Sequence, residues 1–304
     1  RMTSKTVVVA GGTGFIGKHI CSYLRHMGYD PLILSRYAGQ NKVTWNDVSK
    51  FGLPDCKAVI NIAGENILNP LQRWDGPFKQ RVWSSRVDTT LKLKSLIQGA
   101  KARPEVFASI SGVGIYEPSM TMKYDEYSPV KEFDYLSKLA IAWEEAADVS
   151  SDCPTRQVII RSGVVLGRSG GMISQIFLPF YFGLGGTLGD GTQYLPWIHV
   201  KDLARLFVYV IDNQVTGIFN GVSPQIITNR HFTKAFASTL CRPAIFPIPE
   251  FILNLIFSEE RAKIMTTGQK VYPKRVLELG FNYEYPTIEK ACLEFCHLIY
   301  NNKD

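Results

Sequence analysis

Residues 6–10 (TVVVA) form a short unbroken apolar run of mostly β-branched side chains, the pattern of a strand buried on both faces of a parallel sheet. From Phe15 onward the apolar positions Ile16, Ile20, Leu24 and Met27 recur at helical spacing, and Gly28 stands where that helix ends. A second strand is predicted over 30–35 (DPLILS) and a third over 57–62 (KAVINI). The alternation continues with a helix over 84–100, a strand over 105–110, a helix over 135–147 and a strand over 157–165. A helix over 203–211, with Asp202 as its expected N-cap, and a short strand over 217–220 complete it. Strands and helices in this order predict an α/β fold, a Rossmann-type doubly wound parallel sheet.

Beyond Val222 the character changes. Helical stretches over 229–240, 250–257 and 287–300 are separated by prolines and aromatics, with no regular strand–helix alternation. The glycine-rich segment 168–196 is expected to leave the sheet and help cover the site. The expected organisation is a nucleotide-binding Rossmann domain over 5–167, continued by 197–222. A small α+β substrate lobe takes 168–196 and 223–304.

Composition narrows the classes. The chain has 304 residues, 45% hydrophobic and 20% charged, which is ordinary for a globular protein with a sizeable core. No apolar run is long enough for a membrane span. The net charge of +7 is spread without a block of lysines or arginines, so no nucleic-acid partner is expected. Six cysteines include no Cys-x-x-Cys pair, and the spacing of Cys292 and Cys296 finds no second ligand pair, so no metal is expected. A reducing compartment, mitochondrial or cytoplasmic, fits this usage. The chain opens Arg1-Met2-Thr3-Ser4-Lys5, directly before the first strand, and no signal peptide is expected there.

The candidate chemistry begins in the first turn. Gly11-Gly12-Thr13-Gly14-Phe15-Ile16-Gly17 places glycines at 11, 14 and 17, between a strand and a helix. In that context Gly11 permits the tight turn, Gly14 lets backbone approach a pyrophosphate, and Gly17 lets the helix pack close to the sheet. The helix N-terminus then offers free amides to the phosphates. At the end of the second strand a carboxylate would hold the adenosine ribose of NAD. This chain has Ser35-Arg36 instead, a hydroxyl and a guanidinium suited to a 2′-phosphate, so the expected cofactor is NADP(H).

These residues resemble the short-chain dehydrogenase/reductase superfamily in its extended or atypical branch. Gly11 to Gly17, Asn61-Ile-Ala-Gly-Glu65, Arg161-Ser-Gly-Val-Val-Leu-Gly167 and Pro196-Trp-Ile-His-Val-Lys-Asp-Leu203 fall in the expected order. Asn66-Ile-Leu-Asn-Pro70 with Arg73-Trp74, and the run Gly268-Gln-Lys-Val-Tyr-Pro-Lys-Arg275, are similar to the epimerase-family group called family 39U, described as NADP-dependent oxidoreductases. The resemblance implies further cofactor contacts at Ile62, Ala63 and Gly64, at Arg81 and Arg86, and at Val165.

Reductases of the superfamily carry Tyr-x-x-x-Lys on one helix, the lysine one turn on lowering the tyrosine's pKa, with a Ser or Thr on the preceding strand. Here Lys138 stands three residues after Tyr135, and Asp134 occupies the position four before it. Tyr135, Lys138 and Ser111 are the catalytic candidates, with Ser109 and Tyr116 nearby. The intact cofactor fingerprint points to an oxidoreductase of the epimerase/dehydratase-like family acting on a small molecule, such as a sugar nucleotide or a polyketide-like compound. The broken dyad points instead to a non-catalytic NADPH-binding sensor or structural subunit with a protein partner in a larger assembly.

Overall fold

The computed structural model describes residues 4–298. The opening Arg1-Met2-Thr3 and the end of the last expected helix, Ile299 and Tyr300, lie outside the described residues. In chain order the elements begin with β1 (Thr6–Ala10), α1 (Phe15–His26), β2 (Asp30–Ser35), β3 (Lys42–Thr44), α2 (Trp45–Phe51), β4 (Ala58–Asn61) and α3 (Gly76–Gln98). Next come β5 (Val106–Gly112), β6 (Lys123–Tyr124), α4 (Tyr135–Ala146), β7 (Arg156–Ser162), β8 (Val164–Gly167) and α5 (Gly171–Tyr181). The rest are β9 (Trp197–His199), α6 (Val200–Asp212), β10 (Gly217–Gly221), α7 (Asn229–Thr239), α8 (Glu250–Phe257), α9 (Glu259–Thr266), β11 (Lys270–Val271), α10 (Lys274–Glu278) and α11 (Ile288–Phe295).

Seven strands make one parallel sheet in the order β10-β7-β5-β4-β1-β2-β3. Each half winds outward from β1 and β4, the doubly wound arrangement whose ligand crevice opens where the order reverses. The central strands are sealed on both faces. Val7 and Val9 join a core with Ile20 and Leu24 of α1, while Val8 and Ala10 turn to Val48 of α2 and Leu93 and Ile97 of α3. That two-sided burial is why β1 reads as an unbroken apolar run rather than as alternation.

Several boundaries differ from the sequence pattern for identifiable reasons. The helix expected from residue 84 begins at Gly76, because Asp75 caps it by accepting from Phe78 N at 2.9 Å and a proline sits in its first turn. Short β3 and α2 carry too few residues to show a period. Local chemistry forms α2, since Thr44 and Asp47 close a capping box. The strand expected over 157–165 breaks at Gly163, where a Cβ would lie 2.8 Å from Pro196 O, and β8 leaves the sheet to pair with β9. The glycine-rich segment contains an eleven-residue helix, α5, whose Ile173, Phe177 and Phe180 enter a second core with Phe232 and Phe236 of α7 and Ile288 and Phe295 of α11. Among the described residues no helix is long and apolar enough to cross a membrane.

Asp202 is not an N-cap. Helix α6 starts at Val200, and His199 caps it, Nδ1 accepting from Lys201 N at 3.1 Å. Asp202 is fully buried one turn in and accepts from the backbone N–H groups of Glu284 and Tyr285, each at 2.8 Å, and from Arg205 at 2.8 Å. It therefore fastens the C-terminal segment to the sheet's flanking helix, at a separation in sequence that no local pattern reveals. His199 extends the same seam. Its ring stacks on Tyr285 at 3.8 Å between centroids, and its Nε2 lies 2.5 Å from Glu294 Oε2 on α11. Lys201 Nζ reaches the other Glu294 oxygen at 2.9 Å.

Burial alone would push the Glu294 carboxyl up, but the hydrogen bond and charge of His199, with Lys201, outweigh it and bring it down from 4.5 to about 2. A depressed carboxylate pKa adds stability that is present above pH 4.5 and withdrawn as pH falls toward 2. Glu294→Gln is expected to cost about 2 kcal/mol at neutral pH, after allowance for partial exposure. It should also flatten the loss of stability between pH 4.5 and 2. Urea denaturation across that range checks both, and parallel pH profiles for the two proteins would refute this role.

Candidate functional site

A cleft of about 1940 Å³ opens along the carboxyl ends of β1, β4, β5 and β7, at the reversal of strand order. Its floor is the first turn. Gly11 has φ +86°, and a Cβ there would sit 2.8 Å from Ala63 N and Ile62 C, so this turn is wedged against the segment leaving β4. A Cβ at Gly17 would meet Gly11 O at 2.3 Å, which forces the helix start onto the strand end. Gly14 differs from both. A Cβ there would touch only Gly11 O, at 3.4 Å, and otherwise occupy open cleft. No side chain caps α1, so its first-turn amides are left for a ligand, beside Thr13, Phe15 and Ile16.

At one end of the cleft stand Ser35 and Arg36, with Tyr37, Lys42 and Trp45. Arg36 is exposed, its guanidinium 5.9 Å from the Tyr37 ring centroid, and Ser35 Oγ accepts from Tyr37 N at 3.2 Å. Lys42, which sequence reasoning missed, adds a second cation. It lies on the short third strand, whose existence no period announced.

The wall after β4 is held by a buried amide. Asn61 Nδ2 donates to Thr90 Oγ1 at 2.8 Å and to Ser109 Oγ at 3.2 Å, and Asn61 Oδ1 accepts from Ala63 N at 3.3 Å. This fixes the turn that presents Ile62, Ala63 and Gly64 to the cleft. Arg86 lies against Gly64, where a Cβ would come within 3.0 Å of the guanidinium. It donates to Glu65 O at 2.9 Å and packs 5.2 Å from the Trp143 ring centroid. Burial pushes Arg86 down to about 10, against the opposing pull of Tyr135 and Glu65, so it remains a cation at neutral pH. Its Nε is buried with no hydrogen-bond partner. An orphaned cationic donor on a cleft wall is costly unless a ligand oxygen completes it. Arg81 is more exposed, donating to Gln72 Oε1 at 2.8 Å with Glu65 3.7 Å away.

Together these features fit a dinucleotide. Open amides and a bare Gly14 suit a pyrophosphate, Ser35, Arg36 and Lys42 suit an adenosine phosphate, and the Arg86 donor suits an oxygen midway along the cleft. Val165, on β8, lines the far wall with Gly163 and Val164.

At that far end the three catalytic candidates separate. Tyr135 donates its hydroxyl to Lys79 O at 2.7 Å and stands edge-on to Trp74. Lys138 is exposed and points to Glu132, 3.9 Å away. The two therefore form no pair, because one side chain is spent on backbone and the other faces solvent. Asp134, not Tyr135, lines the cleft, and its carboxylate caps α4 by accepting from Ser137 N at 2.8 Å. Ser111 does reach the cleft, donating to Glu144 Oε1 at 2.6 Å.

Behind Ser111 lies a buried network that the sequence reading did not find. Glu144 takes Arg161 in a two-point pair at 2.7 and 2.8 Å, and Arg161 donates onward to the Tyr116 hydroxyl at 2.9 Å. That hydroxyl donates to Asn220 Oδ1 at 2.9 Å. Burial raises the Tyr116 phenol, opposed by the charge and hydrogen bond of Arg161. One signal was available: an arginine inside the apolar run QVIIRSGVV must carry a buried partner.

Residues 7–220 match the NAD dependent epimerase/dehydratase family, and residues 248–295 match a domain of unknown function, DUF1731. The epimerase family protein SDR39U1 of Bos taurus is 45% identical over 290 residues, covering 95% of this chain and 98% of the bovine one. A crystal structure of human SDR39U1 with NADPH superposes with a TM-score of 0.95 at 42% identity, over 97% of this chain and all of the human one. A nucleoside-diphosphate sugar epimerase from Corynebacterium glutamicum superposes with a TM-score of 0.77 at 26% identity, covering 96% of this chain and 58% of that one. With its glycine turn at the reversal of a doubly wound sheet and a match across most of its length, this chain belongs to the NAD dependent epimerase/dehydratase family.

Proposed function

We propose that this protein is an NADP(H)-dependent oxidoreductase acting on a small molecule held beside the cofactor in a single cleft. One observation carries the reading: the cleft's 1940 Å³ exceeds the roughly 300–1,000 Å³ of a site for one small ligand. It runs on past Ser111 and Val165 into a second chamber. The human relative's NADPH complex and the Ser35, Arg36 and Lys42 cluster support NADP(H) over NAD(H).

When bound, the nicotinamide supplies or takes up a hydride at the substrate carbon. The protein's part is to bind, to orient and to exclude water. Ser111 donates its hydroxyl hydrogen bond to Glu144, so its oxygen is left to accept one from a substrate hydroxyl. Arg161, itself braced by the Tyr116 hydroxyl, holds Glu144 and keeps that direction fixed. Tyr135 and Lys138 take no part in this scheme.

A second reading has its own observation. The unassembled Tyr135 and Lys138 favour an NADPH-binding sensor or structural subunit without turnover. Loss of NADPH absorbance with a panel of carbonyl compounds separates the two. Consumption supports the oxidoreductase, whereas tight NADPH binding without consumption, together with a co-purifying partner, supports the subunit.

Two mutational outcomes follow. Arg36→Ala is expected to weaken NADPH binding about tenfold while leaving NADH binding unchanged, measured by calorimetry. Equal binding of both cofactors by the unmutated protein would contradict the role of Arg36. Tyr135→Phe and Lys138→Ala are each expected to keep turnover within about twofold, with Tyr135→Phe losing about 1 kcal/mol of stability from its bond to Lys79. Abolished turnover in either, with NADPH binding intact, would restore them to the catalytic machinery.

A further inference from the structure

Past the nicotinamide end, the chamber changes character. From Gly163 onward its wall is built by β8, α5, the 184–196 segment, α7, α8 and α9. Met172, Ile176, Phe180, Phe232, Leu253 and Ile264 are among its apolar lining residues. Two of the polar lining side chains, Gln193 and Asn229, are spent on backbone. Gln193 Nε2 donates to Leu188 O at 3.0 Å and Met265 O at 2.9 Å, and Asn229 Oδ1 accepts from Leu188 N at 3.0 Å.

Charge points the same way. Among the described residues lining this half, the charged ones are Glu259, Glu260 and Lys263. Lys263 lies 3.4 Å from Glu259, and Glu260 holds Lys79 at 2.5 Å and Trp74 Nε1 at 2.7 Å. The cationic side chains Arg36, Lys42, Arg81 and Arg86 all stand in the cofactor half. Each carboxylate already has a lysine partner, so a diphosphate placed in the substrate half would lose hydration and gain no guanidinium in return. The mouth is apolar as well, since Leu184 and Ile248 line the chamber and remain exposed.

We infer that the substrate half of this cleft takes an uncharged, predominantly apolar small molecule and rejects nucleoside diphosphates. The inference rests on the reading of the other half as the cofactor site, and it separates this chain from the nucleoside-diphosphate sugar named for the Corynebacterium glutamicum structure. The Ser111 oxygen at the junction of the two halves is then the acceptor against which a lone hydroxyl of an otherwise apolar molecule is set.

The test uses the full chain saturated with NADPH, so that the phosphate-binding turn is filled. Nile red, a neutral apolar dye, is titrated by fluorescence, and UDP-glucose is then added as competitor. Saturable dye binding that millimolar UDP-glucose leaves in place is expected. Ile176→Asp, which puts an unpaired carboxylate on the chamber wall, should weaken dye binding at least about tenfold with NADPH affinity unchanged. Leu184→Asp, at the exposed mouth and so without cost to folding, should lower it in the same direction. Displacement of the dye by UDP-glucose, or dye binding indifferent to both substitutions, would overturn the inference. Should the protein not bind NADPH at all, the cofactor reading falls by itself, and the same titrations on the free protein still judge the chamber.

Discussion

The constraint on which the site depends is the contact between the start of the first helix and the end of the first strand. A side chain at position 17 would collide with Gly11 O, and one at position 11 with the backbone that leaves β4. The absence of both lets three backbone segments converge at the point where the sheet reverses its winding. Everything chemical is arranged around that point. The uncapped helix end faces the cleft, the Ser35–Arg36 corner follows from β2, and the Asn61 turn brings Arg86 to the opposite wall. An arginine with an orphaned buried Nε is unfavourable until an acceptor reaches it, and the uncapped amides of α1 are open to the same ligand. They make sense as parts of one receptor whose ligand carries several oxygens.

Beyond the receptor, order comes from buried polar connections rather than from the dyad of related reductases. The chain Ser111–Glu144–Arg161–Tyr116–Asn220 joins β5, α4, β7 and β10 beneath the far end of the cleft. Each member has a partner, which is the condition for such a network to rigidify rather than weaken a core. On the outer side, Asp202 and His199 fasten the C-terminal segment to α6. The walls of the apolar chamber are drawn from elements far apart in sequence.

How much of this was legible in the chain depends on whether the signal is local. The parallel strands with the glycine turn and the Ser35–Arg36 corner lie within thirty-six residues and announce themselves by period and spacing. The start of α3 was equally local, in Asp75 and Pro77, but lay ahead of the first clear apolar repeat. Asp202 shows the opposite case. Its position before an apolar helix resembles a cap, whereas its backbone partners are Glu284 and Tyr285, more than eighty residues away. Tyr135 and Lys138 share a helix, and spacing alone could not show that one hydroxyl is claimed by Lys79 O. The chamber was invisible for the same reason: Met172, Phe232 and Ile264 meet only through tertiary packing.

The central claim is that phosphates rest where Gly14 has no side chain. Gly14 has φ −77°, and an added methyl would meet only Gly11 O at 3.4 Å, so Gly14→Ala is compatible with the native backbone. Calorimetric titration of this variant with NADPH, alongside its thermal unfolding without ligand, is the most direct measurement. The account predicts an unchanged melting temperature and an affinity lowered by about tenfold or more, because the methyl takes the place of a pyrophosphate oxygen. Unchanged NADPH affinity in a normally folded variant would contradict it.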